Sequence, residues 1–201
     1  MNKLLLKENH SSLNLYEKLC LLSEDQLAAI ERGLEWTVKN CPDAVLVGGT
    51  AVVYHLTEGR NLTPDLDFMV HDINSVAAKL DEENTGNKPL FTGDKNDLGI
   101  TVKDFNTDYL DAEKGNRELN KMILENAAEA QLGSYIINIL QPELLAIMKL
   151  NLGRERDIDD GFALLGSGKC NAGKFKEYTD KLKNTLEEYH SIAQYEKLIP
   201  R

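Results

Sequence analysis

The chain has 201 residues, 42% of them hydrophobic, and a formal net charge of −10. That is enough for one packed core and short for two, so one domain or one domain with a helical extension is expected. The acidic balance excludes general affinity for nucleic-acid backbones, which needs clustered Lys and Arg, but leaves room for a local basic groove or a free nucleotide carried with its metal.

In chain order, Ser23 and Gln26 have the spacing of a capping box. Leu27, Ile30, Leu34 and Val38 then recur at helical spacing, which predicts a helix to about residue 40, stopping before Pro42. Residues 44–47 read as a short buried strand broken by Gly48-Gly49. Thr50 is placed to cap a short helix through about Leu56. A loop over 61–64 leads to a strand over 65–71, with Leu66, Phe68 and Val70 on one face and Asp65, Asp67 and Met69 on the other.

Residues 73–83 form an amphipathic pattern, 84–88 a turn or loop, 90–91 a short strand, and 98–105 a longer one. A helix is expected over 119–130 and a strand over 134–140. Pro142 suits the first position of a helix closed by Gly153. Helices follow over 156–165 and 175–189, with a last short one near Ile192. This order predicts an α+β fold: a small mixed sheet flanked by helices, with an α/β core over 1–140 and a helical C-terminal part over 141–201.

Two carboxylates, Asp65 and Asp67, stand two apart on one strand and project to the same side, roughly 7 Å apart at Cα. Unpaired, they repel. They become useful when a divalent cation lies between them and a phosphate, because Mg²⁺ takes hard oxygen ligands and binds through one or two carboxylates plus substrate phosphates. Gly48 and Gly49 lack side chains, so the backbone there can approach phosphate oxygens with its N–H groups near a helix N-terminus, and Thr50 adds a hydroxyl. An isolated Asp-x-Asp on a strand is most often a solvated pair. The order Gly-Gly turn, short helix, Asp-x-Asp strand is much more specific.

That stretch, GGTAVVYHLTEGRNLTPDLDF, resembles the signature of the nucleotidyltransferase fold, the DNA polymerase β-like superfamily. The Arg60-x-x-Thr63-x-Asp65-Leu66-Asp67-Phe68 spacing resembles, more narrowly, the AbiE-type toxin nucleotidyltransferases and related minimal bacterial proteins. PELLAIMKLNLGRERDIDDGFAL is similar to that group's downstream pattern, with Lys149, Arg156, Asp157 and Asp160 at the matching positions. The resemblance covers about residues 44–165.

The resemblance implies an Mg²⁺- (or Mn²⁺-) dependent enzyme that moves a nucleoside monophosphate from a nucleoside triphosphate to an acceptor hydroxyl. Asp65 and Asp67 are then the metal ligands. A third carboxylate, which completes the metal site or takes the proton, is assigned to Asp104, with Asp108 as the alternative. Nucleotide contacts fall to Gly48, Gly49, Thr50, Arg60, Thr63, Lys149 and Asp157. Lys149 reads as a cation for the triphosphate or as a snorkelling surface lysine. Asp157 is placed to pair with it. Arg60 either holds the Asp65 and Asp67 carboxylates, reaches phosphate, or forms a structural salt bridge.

The acceptor stays open among RNA, with tRNA the toxin-type case, protein and a small molecule, and an antitoxin protein is an implied partner. The other reading is a non-catalytic nucleotide- or partner-binding module of the same fold. A glycosyltransferase is disfavoured by the Gly-Gly-Thr turn and the short chain. No apolar stretch nears the roughly 18 residues of a spanning helix, and the N-terminal apolar run is too short for a secretory signal. Three cysteines, Cys20, Cys41 and Cys170, lack CxxC spacing and read as reduced thiols, so a cytoplasmic protein is expected.

Overall fold

The computed structural model describes residues 3–5, 11–62, 65–83, 98–102 and 105–200. The elements in chain order are α1 (Leu13–Leu19), α2 (Glu24–Asn40), β1 (Val45–Val47), α3 (Gly48–His55), β2 (Asp65–Val70), α4 (Ile73–Glu83), β3 (Leu98–Val102) and β4 (Phe105–Asp111). They continue with α5 (Arg117–Glu125), β5 (Ala127–Leu132), β6 (Tyr135–Leu140), α6 (Pro142–Leu152), α7 (Glu155–Gly166), α8 (Ala172–Lys181) and α9 (Tyr189–Gln194). Short 3-10 turns stand at Lys3–Leu5 and Tyr195–Leu198.

One mixed sheet of six strands runs in the order β3-β4-β2-β1-β6-β5. β1 pairs antiparallel with β2 and parallel with β6, and β2 pairs parallel with β4. This is the expected α+β architecture. The register lines up three strands at one point: Val47 stands opposite Asp67, and Asp67 opposite Asp108. Facing residues of neighbouring strands share a side of the sheet. The end of β1, Asp67 and Asp108 therefore form one row.

The alternation read in β2 is present. Leu66, Phe68 and Val70 are buried. Phe68 stacks on Tyr109, Trp36 of α2 meets the Tyr109 ring edge-on, and the Tyr109 hydroxyl lies 2.6 Å from Thr37 Oγ1. α2 thus seals this face of the sheet. Its N-terminus carries the capping box: Ser23 Oγ accepts from the Gln26 N–H, and Gln26 Oε1 from the Ser23 N–H.

α3 packs on β1 and β2, and α6 packs on α3. α6 is apolar nearly all round, with Leu144, Leu145, Ala146 and Ile147 fully buried, which is the pattern of a central helix. Pro142 sits in its first turn and Gly153 ends it in the left-handed region. α7 folds straight back along α6. Among the described residues no helix is long and apolar enough to cross a membrane. The three cysteines are unpaired.

Several expectations need correction. The 119–130 helix stops at Glu125, and Ala127–Leu132 is instead a strand paired with β6. Its AAEAQL sequence favours helix, but the Gly133 turn, at φ 58°, folds it back as a hairpin on an existing strand. The single strand over 98–105 is in fact two antiparallel strands, so the polar FNTDYLD run forms β4. Thr50 does not cap α3. The helix begins at Gly48, and the Thr50 hydroxyl donates to the Asp65 carbonyl at 2.9 Å. The 175–189 helix ends at Lys181, and turns lead to α9. α1 was not expected from the sequence. The strand expected at 90–91 lies outside the described residues.

Candidate functional site

The loop closing β1 brings the first half of the site together. Gly48 adopts φ 65°, and a Cβ there would lie 1.8 Å from Asp67 Oδ2. The Asp67 carboxylate therefore rests directly on the Gly48 backbone, and only glycine meets both demands. The Gly49 backbone N–H donates to Asp67. Asp65 lies beside it, with Oδ1 buried and without a hydrogen-bond partner.

This pocket of negative charge is costly as it stands. Burial, then repulsion from Asp65 and Asp108, raises the Asp67 carboxyl from its ordinary value to about 6, with Lys149 and the Gly49 amide pulling the other way. A buried carboxylate crowded by two others, beside an orphaned oxygen, is a donor set of hard oxygens suited to a divalent cation. Two such carboxylates plus ligand phosphates fit Mg²⁺. Among the described residues no group of three or more His, Cys, Asp or Glu side chains is arranged as the ligands of one ion.

Facing the carboxylates is a wall of cations. Lys149, buried in α6, donates to Asp157 Oδ1 at 2.7 Å and lies 3.3 Å from Asp160 Oδ2. Arg154 also pairs with Asp157. Burial alone would raise the Asp157 pKa, but the hydrogen bonds from Lys149 and Arg154 outweigh it and hold the carboxyl below its ordinary value. Arg60 Nε lies 2.5 Å from Asp160 Oδ1, and its Nη1 donates to the Gly49 carbonyl at 2.9 Å. Burial draws the Arg60 pKa down, with Asp160 opposing. One ion network thus ties the loop before β2 to α6 and α7.

The two halves enclose a cleft of about 290 Å³, lined by Gly49, Arg60, Asp65, Asp67, Lys149, Arg154, Arg156 and Asp157. Six of these were expected from the sequence. Gly48 supports Asp67 from behind, and Thr50 is buried with its hydroxyl on Asp65. Thr63 and Asp104 lie outside the described residues. Asp108 is the third carboxylate acting on Asp67.

Arg60 makes a salt bridge, the third of its expected options, with Asp160 rather than with Asp65 or Asp67. No sequence pattern points to Arg154 as a lining residue, and the downstream pattern includes Arg156 without assigning it a role. Among the described residues Arg156 has no ion-pair partner, and it is exposed at the cleft.

No protein-family model matches the sequence, and no curated protein matches it. Among solved structures the chain is similar to an antigenic nucleotidyltransferase-like protein from Paracoccidioides brasiliensis, at 14% identity, over 90% of this chain and 96% of that one, with a TM-score of 0.53. A second similar structure, JHP933 from Helicobacter pylori, is 18% identical over 89% of this chain and 84% of that one, with a TM-score of 0.45. Identity this low speaks for architecture and not for activity: the chain has a nucleotidyltransferase-like fold.

Proposed function

We propose that this protein is an Mg²⁺-dependent nucleotidyltransferase that moves a nucleoside monophosphate from a nucleoside triphosphate to an acceptor hydroxyl. The observation that carries the reading is the Asp67 carboxylate, seated on Gly48 between Asp65 and Asp108 and facing the cations of the cleft.

Asp65 and Asp67 hold the metal, which, when bound, neutralises phosphate charge and polarises the reacting phosphorus. Gly48 and Gly49 let the backbone approach the phosphates. Lys149 and Arg60, fixed by Asp157 and Asp160, supply positive charge that needs no rearrangement as charge shifts to the leaving pyrophosphate. Arg156, without an ion-pair partner among the described residues, takes the outer phosphates. Asp108, opposite Asp67 on the neighbouring strand, is the third-carboxylate candidate among the described residues and accepts the proton of the attacking hydroxyl, or completes the metal site.

The AbiE-type setting belongs to the same proposal: a cytoplasmic toxin-like enzyme, tRNA or a protein as acceptor, and an antitoxin as partner. It rests on the Arg60-to-Phe68 spacing and the Lys149-to-Asp160 stretch.

The test is label transfer. The protein is incubated with each nucleoside triphosphate labelled at the α-phosphate, with Mg²⁺, and with either bulk tRNA or a bulk protein fraction. Transfer of label that stops on chelation is the expected result. Binding without transfer to either acceptor would leave the non-catalytic module. Arg156→Ala is expected to weaken nucleotide binding by about ten- to a hundredfold, the scale of a charge-assisted hydrogen bond, without lowering Tm.

Acid should also weaken the site. Metal and proton compete for Asp67, whose pKa is about 6. The apparent Mg²⁺ affinity is expected to fall by up to about tenfold per pH unit below that value and to level off above it. Calorimetric Mg²⁺ titrations across this range check the prediction, and an affinity flat with pH would contradict it.

A further inference from the structure

The cations of the cleft depend on how closely α7 approaches α6, and one residue without a side chain stands at that contact. A Cβ on Gly161 would lie 2.7 Å from Leu150 Cγ and 2.9 Å from Leu150 Cδ2. Ordinary carbon–carbon contact begins near 3.5 Å, so a methyl group there demands a displacement of roughly 1 Å. Leu150 has little room to yield, because it is itself buried in the core. Gly161 follows Asp160 directly, and Leu150 follows Lys149 directly. This close approach of the two helices therefore sits one residue from the ion contacts of Lys149 and Asp160.

Those contacts have little slack. Lys149 Nζ lies 2.7 Å from Asp157 Oδ1 and 3.3 Å from Asp160 Oδ2, and Asp160 also holds Arg60. All four side chains are largely withdrawn from water, at 12% exposure or less. Moving α7 outward by the amount a methyl group requires would open the 3.3 Å contact beyond ion-pair range. It would also draw Asp160 away from the loop that carries Arg60.

We infer that Gly161 is a positioning residue for the cleft: its missing side chain sets the α6–α7 spacing at which Asp157 and Asp160 hold Lys149 and Arg60 toward the ligand. The inference deepens the nucleotidyltransferase reading and, where it concerns nucleotide, rests on it. Gly161 is not among the residues that line the cleft. Its φ is not in the left-handed region, so the reason for glycine here is space and not backbone conformation.

The test uses Gly161→Ala, Leu150→Ala and the double variant, with two readouts. The first is NMR titration of the Asp157 carboxyl in the ligand-free protein. Gly161→Ala is expected to move it up toward its ordinary value, and the double variant, which removes the obstructing Leu150 carbons, to bring it back down. The second is the Kd for Mg²⁺–nucleotide, expected to rise about tenfold or more in Gly161→Ala and to recover in the double variant. Alanine is the better helix former, so lost helix propensity cannot account for these effects.

The readouts fail separately. If wild type binds no nucleotide, the functional reading falls while the Asp157 titration still decides the role of Gly161. An unmoved Asp157 titration in a folded Gly161→Ala protein overturns the positioning role and leaves nucleotide binding standing. If Gly161→Ala does not fold, the double variant decides: wild-type titration supports the role, and failure to restore it overturns the role.

Discussion

Asp67→Asn is expected to abolish Mg²⁺-dependent nucleotide binding and, at the same time, to raise the Tm of the metal-free protein. Both effects come from one cause. The carboxylate is buried against Gly48 with Asp65 and Asp108 beside it, which lifts its pKa to about 6. A carboxyl whose folded-state pKa lies above its unfolded value favours folding in acid, and that contribution is lost as pH rises through the folded pKa. At neutral pH the metal-free protein therefore bears the whole penalty, roughly 3 kcal/mol for a shift of about two units.

Asparagine keeps the shape and still accepts the Gly49 N–H, but carries no charge. Set against the weaker bond to a neutral acceptor and the lost attraction to Lys149, a net gain of about 1–2 kcal/mol remains, or a rise of about 2–8 °C. Metal affinity moves the other way. Altering a group that merely orients a metal ligand costs about 10–100-fold, and loss of a charged ligand itself should exceed that. Thermal melts in chelator across pH 4–8, with metal titrations of the same samples, check both halves. A variant that loses metal binding because it is less stable would refute the account.

Gly48→Ala should be the most damaging small substitution in the site. Alanine at φ 65° costs about 1–2 kcal/mol from its own backbone. Its Cβ would also stand 1.8 Å from Asp67 Oδ2, and Asp67 cannot retreat easily, because β2 is paired on both sides and the carboxylate accepts the Gly49 amide. Relieving that overlap means opening the β1–α3 turn or expelling the carboxylate, so a total loss of about 3 kcal/mol or more is expected, together with metal binding.

Gly168→Ala is the control. Gly168 has φ 73° and nothing within 4 Å of where a Cβ would stand, so it should show the backbone cost alone and keep nucleotide binding. Denaturant melts of the two variants give the difference. Equal destabilisation of both, with metal binding retained in Gly48→Ala, would mean that Asp67 does not rest on Gly48.

The parts of this molecule that were legible in the sequence are those whose cause is local. The Ser23–Gln26 box, the Leu66/Phe68/Val70 alternation and the Pro142-to-Gly153 helix each carry their signal within a few residues. The Gly-Gly turn and Asp-x-Asp could be read because their chemistry depends on short spacing. Lys149 and Asp157 are only eight apart across one turn.

What escaped was set by tertiary pairing. Most of β4 carried no strand signal because the side of it that bears Asp108 lies beside the Asp67 carboxylate and not in the core. β5 is made of good helix formers and is a strand only because β6 offers it a ladder. Arg60 finds Asp160 only once α7 folds back beside α3, and no pattern near either residue announces that pair.

The central claim is a metal–nucleotide site between Gly48 and Asp67 on one side and Lys149 and Arg156 on the other. The most direct measurement is calorimetric titration of wild type and Asp67→Asn with each of the four nucleoside triphosphates, with Mg²⁺ and with chelator, at a pH well above 6. Saturable binding of at least one triphosphate to wild type is predicted, dependent on Mg²⁺ and absent in the variant. Binding of no triphosphate, or equal binding by both proteins, would contradict the claim.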